Sequence, residues 1–376
     1  MNKIVILGAG RIGQTIALDL CHDFQVRVAD ISEQNLSTLS SSSPIQTSKC
    51  DLRQSSEIKA VIAEADLVIC AMPGFMGFNT LKTIIENGKN VVDISFFDED
   101  PFLLDELARR NNVIAVVDCG VAPGMDNIIL GYHSKRMNVQ SFECLVGGLP
   151  LIRNWPYEYK APFSPIDVIA EYTRPSRIVK EGSLITRPAL SDSEMINFPQ
   201  VGTLEAFNTD GLRSLVKTMK VPNMIERTLR YPGHINYMKV LRESGFFSEE
   251  SIIINGSEIR PIDLTSSLLF PMWKLEKDEE DFTIMRITIE GQEKEKSIKY
   301  VYNLYDRYDK ETKTHSMSRT TGFTCTAVAR LIMKKMYRNT GINPPEYIGE
   351  QEDCFNEIIR YLKARGVTYQ VESTQL

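Results

Sequence analysis

Short apolar runs recur along the first third of the chain, each followed by positions with helical spacing. Ile4–Leu7, Gln25–Asp30, a stretch near Ile45–Thr47, Asp66–Cys70, Asn90–Ile94 and Val113–Val117 read as six strands. A helix runs from the glycines after Leu7 to Leu20. Further helices are predicted over Ser55–Glu64, capped by Ser55 or Ser56, over Asn79–Asn87, and over Pro101–Asn111 with proline in the first turn. The serine-rich segment Ser37–Ser43 reads as a loop. Strands that are apolar throughout suit burial on both faces, and a helix between consecutive strands makes them parallel. The pattern predicts an α/β fold: a doubly wound parallel sheet of the Rossmann type.

The rhythm changes after Gly120. Residues 121–317 carry more proline and aromatic residues and longer strand candidates. Phe282–Ile289 and Ile298–Tyr305 flank a charged turn and predict an antiparallel hairpin. Helices are expected near Asn236–Arg242 and Leu264–Trp273, then over Thr326–Met336 and Cys354–Ala364, with Gly366 as a stop. The chain's 376 residues exceed what one hydrophobic core usually organises. We expect residues 1–120 with 318–376 to form a dinucleotide-binding domain, and 121–317 an α+β domain. The apolar alternation of the hairpin needs a cover, which predicts a homodimer.

A net charge of -6 gives no electrostatic footprint for nucleic acid or an anionic membrane. The opening MNKIVILGAG is too short for a secretory h-region, and no apolar run approaches the roughly 18 residues of a membrane span. Seven scattered cysteines with no CxxC predict reduced thiols, no structural metal and a cytoplasmic protein.

Gly8-Ala9-Gly10-Arg11-Ile12-Gly13 is a GxGxxG loop lying between an apolar strand and a helix, which is where such a loop binds a dinucleotide. Gly8 allows the tight turn, Gly10 the approach of a pyrophosphate, and Gly13 close packing of helix on strand. Asp30 ends the second strand about 20 residues on, where a carboxylate accepts from the adenosine ribose hydroxyls and repels a 2′-phosphate. Ile31-Ser32 follows it, so NAD is expected rather than NADP. Asp51, after the third strand, is a candidate contact to the adenine. Ala71-Met72-Pro73, Asp93 with Ser95-Phe96, and Cys119 end later strands on the carboxyl edge, where open α/β sheets bind ligands.

Several later segments together resemble the saccharopine dehydrogenase-like family, which includes lysine 6-dehydrogenases. They are Gly120-Val121-Ala122-Pro123-Gly124-Met125-Asp126-Asn127, Gly147-Gly148-Leu149-Pro150, Tyr159-Lys160-Ala161-Pro162-Phe163-Ser164-Pro165, Thr228-Leu229-Arg230-Tyr231-Pro232-Gly233-His234 and Arg319-Thr320-Thr321-Gly322-Phe323. The resemblance implies a Rossmann domain, a substrate and dimerisation domain, and C-terminal helices returning to the first. It also implies redox chemistry at a carbon–nitrogen bond of a lysine-derived amino acid. Glutamate-forming saccharopine dehydrogenases typically read Leu-Asp-Pro-Gly and Ser-Tyr where this chain has Ala122 and Phe96. The resemblance therefore leans to the smaller substrate of the NAD-dependent lysine 6-dehydrogenases, in which hydride leaves C6 of lysine. A saccharopine dehydrogenase and a non-catalytic NAD(H)-binding regulator are the alternatives.

Such a substrate sets few demands. Its α-carboxylate suits a guanidinium fork, for which Arg230 is the candidate, with Thr228 on the same strand face and Ser95 and Phe96 contributing. Its ε-ammonium must lose a proton, and His234, Lys160 and Tyr159 are the candidate catalytic groups. His22, His133 and His315 have no ligand spacing.

Overall fold

A computed structural model describes residues 2–40 and 44–376. The chain forms two compact units, Met1–Arg136 with Ser318–Thr368, and Met137–Met317 with Tyr369–Leu376.

In chain order the first unit begins β1 (Lys3–Leu7), α1 (Arg11–Leu20), β2 (Gln25–Asp30), α2 (Glu33–Ser40), β3 (Gln46–Lys49), α3 (Ser55–Ile62) and β4 (Leu67–Cys70). It continues α4 (Gly74–Glu86), β5 (Asn90–Asp93), a 3-10 turn Pro101–Leu104, α5 (Asp105–Arg110), β6 (Ile114–Val116) and α6 (Met125–Ser134). Ser37–Ser40, expected in a loop, belongs to α2, where Leu36 and Leu39 are buried on its inner face; Ser41–Ser43 lie outside the described residues. Proline at 101 opens a 3-10 turn before α5 where one continuous helix was expected.

The second unit carries β7 (Asn138–Pro150), α7 (Pro165–Thr173), β8 (Ser176–Lys180), β9 (Ser183–Arg187), β10 (Glu194–Phe198), β11 (Gly202–Asn208), α8 (Leu215–Thr218), β12 (Asn223–Arg230) and α9 (His234–Glu243). Then come β13 (Ile252–Ile254), β14 (Ser257–Ile259), α10 (Pro261–Trp273), β15 (Asp281–Glu293) and β16 (Lys296–Arg307). The chain closes with α11 (Ser316–Met333), β17 (Gly341–Asn343), α12 (Pro345–Gly349), α13 (Glu352–Ala364) and β18 (Tyr369–Gln375).

The first sheet is parallel throughout, in the order β17-β6-β5-β4-β1-β2-β3. Its six leading strands are those of the apolar runs, and β17 from the chain's end adds a seventh beside β6. The C-terminal helices are tied to α1 by charge. Arg330 of α11 donates to Asp19 at 3.0 Å and to Asp23 at 2.6 Å, Arg365 donates to Asp19 at 2.5 Å, and Tyr361 of α13 donates to Asp19 as well. Helix α6 belongs to this unit because it meets α12 backbone to backbone: a Cβ on Gly131 would lie 2.1 Å from the Glu346 carbonyl oxygen, and one on Gly349 2.0 Å from that of Ile128. The unit boundary therefore falls after Arg136, not after Gly120.

The second sheet is mixed, in the order β10-β11-β12-β7-β15-β16-β18, with β8 also on β12 and β9 on β8. The hairpin β15–β16 turns at Lys294 and Glu295, both with positive φ (47° and 68°), the two-residue turn whose twist suits a hairpin. Both its edges are paired, by β7 on β15 and by β18 on β16; Phe282, Ile284, Ile287 and Ile289 are buried within the chain, while Ile298 and Tyr300 are half-buried.

Candidate functional site

The glycine loop shows why each glycine stands where it does. Gly8 has φ 106°, and a Cβ there would meet the Ala71 carbonyl oxygen at 2.4 Å. A Cβ on Gly13 would meet the Gly8 oxygen at 2.1 Å. A Cβ on Gly10 would meet nothing within 4 Å, so the side of the backbone it would occupy is open to a ligand. The first bond of α1 runs from Gln14 N to the Gly10 oxygen at 2.9 Å, so the amides of Arg11, Ile12 and Gly13 precede the helical ladder. Asp30 Oδ2 accepts from Ala9 N at 2.6 Å and Oδ1 from Ser32 N at 2.7 Å, which fixes the carboxylate against the loop. These features fit a dinucleotide. Asp51 is held by its neighbour Arg53 through two bonds of 2.8 and 2.7 Å and is turned to that guanidinium.

The carboxyl ends of β4, β5 and β6 gather Ala71, Met72, Pro73, Asp93, Ser95, Phe96 and Cys119 on one edge. Asp93 is fully buried; Oδ1 accepts from Ser95 N at 2.6 Å, while Oδ2 has no partner. Burial lifts its carboxyl to about 7. Ser95 Oγ lies 3.5 Å from Cys70 Sγ. Cys119 N donates to the Asp93 carbonyl at 2.9 Å, and burial pushes the Cys119 thiol far up, so it is no nucleophile. The Gly120–Asn127 motif is the turn into α6. Gly124 has φ 143° and a Cβ there would meet the Gly120 oxygen at 1.9 Å, while the Asp126 and Asn127 side chains accept from Gly124 N at 2.9 and 3.1 Å. Asp126 is a functional-looking buried acid that spacing alone did not single out.

In the second unit Arg230 ends β12 and is 2% exposed. Its Cζ stands 4.5 Å from the ring centroid of Tyr159, 5.8 Å from Tyr172 and 6.0 Å from Phe207. Nη2 donates to Glu171 at 2.5 Å, Nη1 to the Leu229 carbonyl at 3.0 Å, and Nε to Tyr172 Oη at 3.1 Å. His234 sits beside them, with Nε2 2.9 Å from Tyr172 Oη and Nδ1 2.8 Å from the Tyr157 carbonyl oxygen. A carbonyl only accepts, so Nδ1 carries the hydrogen and Nε2 accepts from Tyr172. Burial, and next the Arg230 charge, push His234 down to about 3. An imidazole that is neutral and bonded through both nitrogens suits positioning better than the proton uptake its sequence position suggests.

Strand alternation does put Thr228 on the Arg230 face, but its hydroxyl meets Thr209 at 2.9 Å, beside Glu226. Lys160 Nζ donates to the Lys274 carbonyl at 3.0 Å and pairs with Glu279 at 3.2 Å, away from the Arg230 cluster's own partners. Tyr159, by contrast, packs directly on Arg230, His234 and Trp273. Glu171, Tyr172 and Trp273 complete this cluster and come from α7 and α10; their helical spacing marks them only as core. Among the described residues no three His, Cys, Asp or Glu side chains are placed to hold a metal ion, and no helix is long and apolar enough to cross a membrane.

Known proteins agree with this layout. Residues 4–116 match the model of the saccharopine dehydrogenase NADP binding domain, and 120–367 that of the saccharopine dehydrogenase C-terminal domain. The chain is 25% identical over 319 residues to an alpha-aminoadipic semialdehyde synthase of Arabidopsis thaliana, covering 71% of this chain and 29% of that one. It is 24% identical over 313 residues to a saccharopine dehydrogenase [NADP(+), L-glutamate-forming] of Pyricularia oryzae, covering 79% and 69%. The fold is that of the apo L-Glu-forming saccharopine dehydrogenase of Saccharomyces cerevisiae, with TM-score 0.79 at 18% identity over the whole of both chains. Two matched domain models spanning the glycine loop, the Gly120–Asn127 turn and the Arg230 segment establish that this chain belongs to the saccharopine dehydrogenase family, as an oxidoreductase with a nicotinamide cofactor.

Proposed function

We propose that this protein is an NAD-dependent dehydrogenase acting at a carbon–nitrogen bond of lysine or a lysine derivative. The observation that carries the reading is the buried guanidinium of Arg230, set in an aromatic box with three of its five N–H groups engaged. Such a group suits the carboxylate of an amino acid, which it orients as well as binds. A bound nicotinamide would supply the hydride acceptor; the chain supplies the binding and the exclusion of water. Ala122 and Phe96, in place of the more polar residues of glutamate-forming relatives, favour lysine itself with release of ammonia and the semialdehyde. Saccharopine is the second reading, favoured by the names of the similar proteins.

Asp30 supports NAD over NADP although the matched domain is named for NADP. Its carboxylate faces the loop, and the nearby basic groups are occupied: Lys49 pairs with Glu33 at 2.6 Å, Arg53 with Asp51 at 2.7 Å, and Arg27 donates to Gln46 at 3.0 Å. The test is reduced-cofactor formation from lysine, saccharopine and other diamino acids, with NAD and NADP compared. Turnover with NAD is expected. In Asp30→Ala the preference for NAD should shrink by about tenfold, since a charge-assisted bond is lost and a repulsion removed. A wild type that binds NADP more tightly than NAD overturns the cofactor assignment. Turnover of none of these amines overturns the substrate class.

A further inference from the structure

The cluster around Arg230 holds two hydrogen-bond donors with no acceptor. Tyr159 is 3% exposed and Trp273 is fully buried, and neither Tyr159 Oη nor Trp273 Nε1 has a partner. An unmet buried donor is costly, and two in one packed cluster call for a cause. Their rings meet edge to face with centroids 5.7 Å apart, and Arg230 Cζ is 4.5 Å from the Tyr159 ring centroid. Arg230 adds two further N–H groups, the remainder after Tyr172, Leu229 and Glu171 are served.

Trp273 Nε1 and the two remaining Arg230 N–H groups can only donate, and the Tyr159 hydroxyl can donate or accept, so the unspent capacity is mainly donor capacity. The polarity of the rest is locked. Arg230 Nε donates to Tyr172 Oη, Tyr172 donates to His234 Nε2, and His234 Nδ1 donates to the Tyr157 carbonyl. Tyr172 and His234 have nothing left to offer, so selectivity falls to the two orphans. Glu171 already offsets the Arg230 charge, so neutral donors must add what net charge does not.

We infer that Tyr159 and Trp273, with the spare N–H groups of Arg230, form a carboxylate subsite that selects a carboxylate over a carboxamide or an ammonium group. The carboxylate oxygens accept from Tyr159 Oη and Trp273 Nε1 while the guanidinium balances the charge. A carboxamide offers one oxygen and a surplus of donors, and an ammonium group offers only donors, which the Tyr159 hydroxyl alone among the open groups could accept, beside a guanidinium of like charge. This rests on the reading of Arg230 as the carboxylate anchor and names the residues that make it selective.

Tyr159→Phe removes one oxygen and keeps the ring on Arg230. Because that oxygen is unmet, the unliganded variant should melt no lower than wild type. For the amine that wild type turns over, KM should rise about tenfold with kcat little changed, the mark of lost binding to a charged acceptor. Glutarate, measured in the presence of NADH as an inhibitor and by thermal shift, should bind about tenfold more weakly to the variant, and glutaramide should bind neither protein better than the other. Trp273→Phe should repeat the loss for glutarate. Unchanged KM and unchanged glutarate binding in Tyr159→Phe overturn the subsite. A lower melting point with unchanged binding also overturns it, because that is what a purely structural hydroxyl would show. If no amine is turned over yet glutarate stabilises wild type and not the variant, the subsite stands and the reaction assignment falls. If glutarate stabilises neither protein, the subsite falls.

Discussion

Replacing Arg230 by alanine is expected to abolish measurable turnover of the amino acid and to destabilise the second unit by about 3–5 kcal/mol, the usual cost of leaving a buried carboxylate without its partner. Glu171 is that carboxylate. Burial already pushes it above the ordinary carboxylate range, against the pull of Arg230, and without the guanidinium it would have to bind a proton. Since Arg230→Ala can fail to fold, Arg230→Lys carries the functional test. The ammonium keeps the charge beside Glu171 but cannot reach Tyr172 and Leu229 at the same time, and it offers no fork. KM for the amino acid should rise by about tenfold or more, with a smaller fall in kcat. Affinity for NAD should hardly change, because Gly8, Gly10, Gly13 and Asp30 belong to the other unit. Steady-state constants with the amino acid and with NAD, on the folded variant, decide it. Wild-type kcat/KM in either variant, or a loss confined to NAD, removes Arg230 as the carboxylate anchor.

What could be read in the sequence was what local chemistry determines. Strands β1, β4, β5 and β6 are short apolar runs, which have few other uses, whereas β2 alternates and β3, Gln46–Lys49, is polar and was placed mainly by its position between helices. Helix α4 was harder. It starts at Gly74, five residues before the expected start, because Gly74 and Gly77 look like helix breakers. Gly77 is there for packing: a Cβ would lie 2.6 Å from Ser95 Cβ and 2.8 Å from Phe97 Cδ1. Strand β17 is three residues long, and β18 is a polar, exposed strand with no apolar alternation, so neither leaves a periodic signal. In the second unit, Arg230 was visible through its motif, but its partners were not. Glu171 and Tyr172 precede it by 59 and 58 residues, and pairing at that distance is a property of the fold. His234 shows the converse. Its chemistry suggested a base, and only its burial and its two bonds reveal a ring held neutral.

The same burial gives the protein an unusual dependence on pH. Asp126 is fully buried, with Oδ2 unpaired, and burial lifts its carboxyl to about 7; Asp93 is lifted to about 7 and Asp281 to about 6 for the same reason. Each is higher than in the unfolded chain, and His234, held down to about 3, offsets only one of the three, so the folded state binds more protons between roughly pH 4 and 7 and stability falls as pH rises through that window. Below pH 4 the trend reverses through Asp19. Burial pushes its carboxyl up, but Arg330, Tyr361, Thr326 and Arg365 together hold it below its ordinary value, so its contribution is lost as acid protonates it. Stability should therefore peak near pH 4–5 and decline by several kcal/mol toward pH 8, on the order of 1.4 kcal/mol per proton per pH unit. Asp126→Asn isolates one proton. The amide oxygen can still accept from Gly124 N, so the turn into α6 keeps its bond, while the titrating group is gone. Denaturant unfolding of wild type and variant at pH 5, 6, 7 and 8 gives the slopes. Relative to pH 5, the variant's stability should gain about 3 kcal/mol on wild type by pH 8, and the variant should take up about one proton fewer on folding between pH 5 and 7. A constant difference between the two proteins at every pH would mean that Asp126 does not titrate there and that its burial is tolerated as a charge.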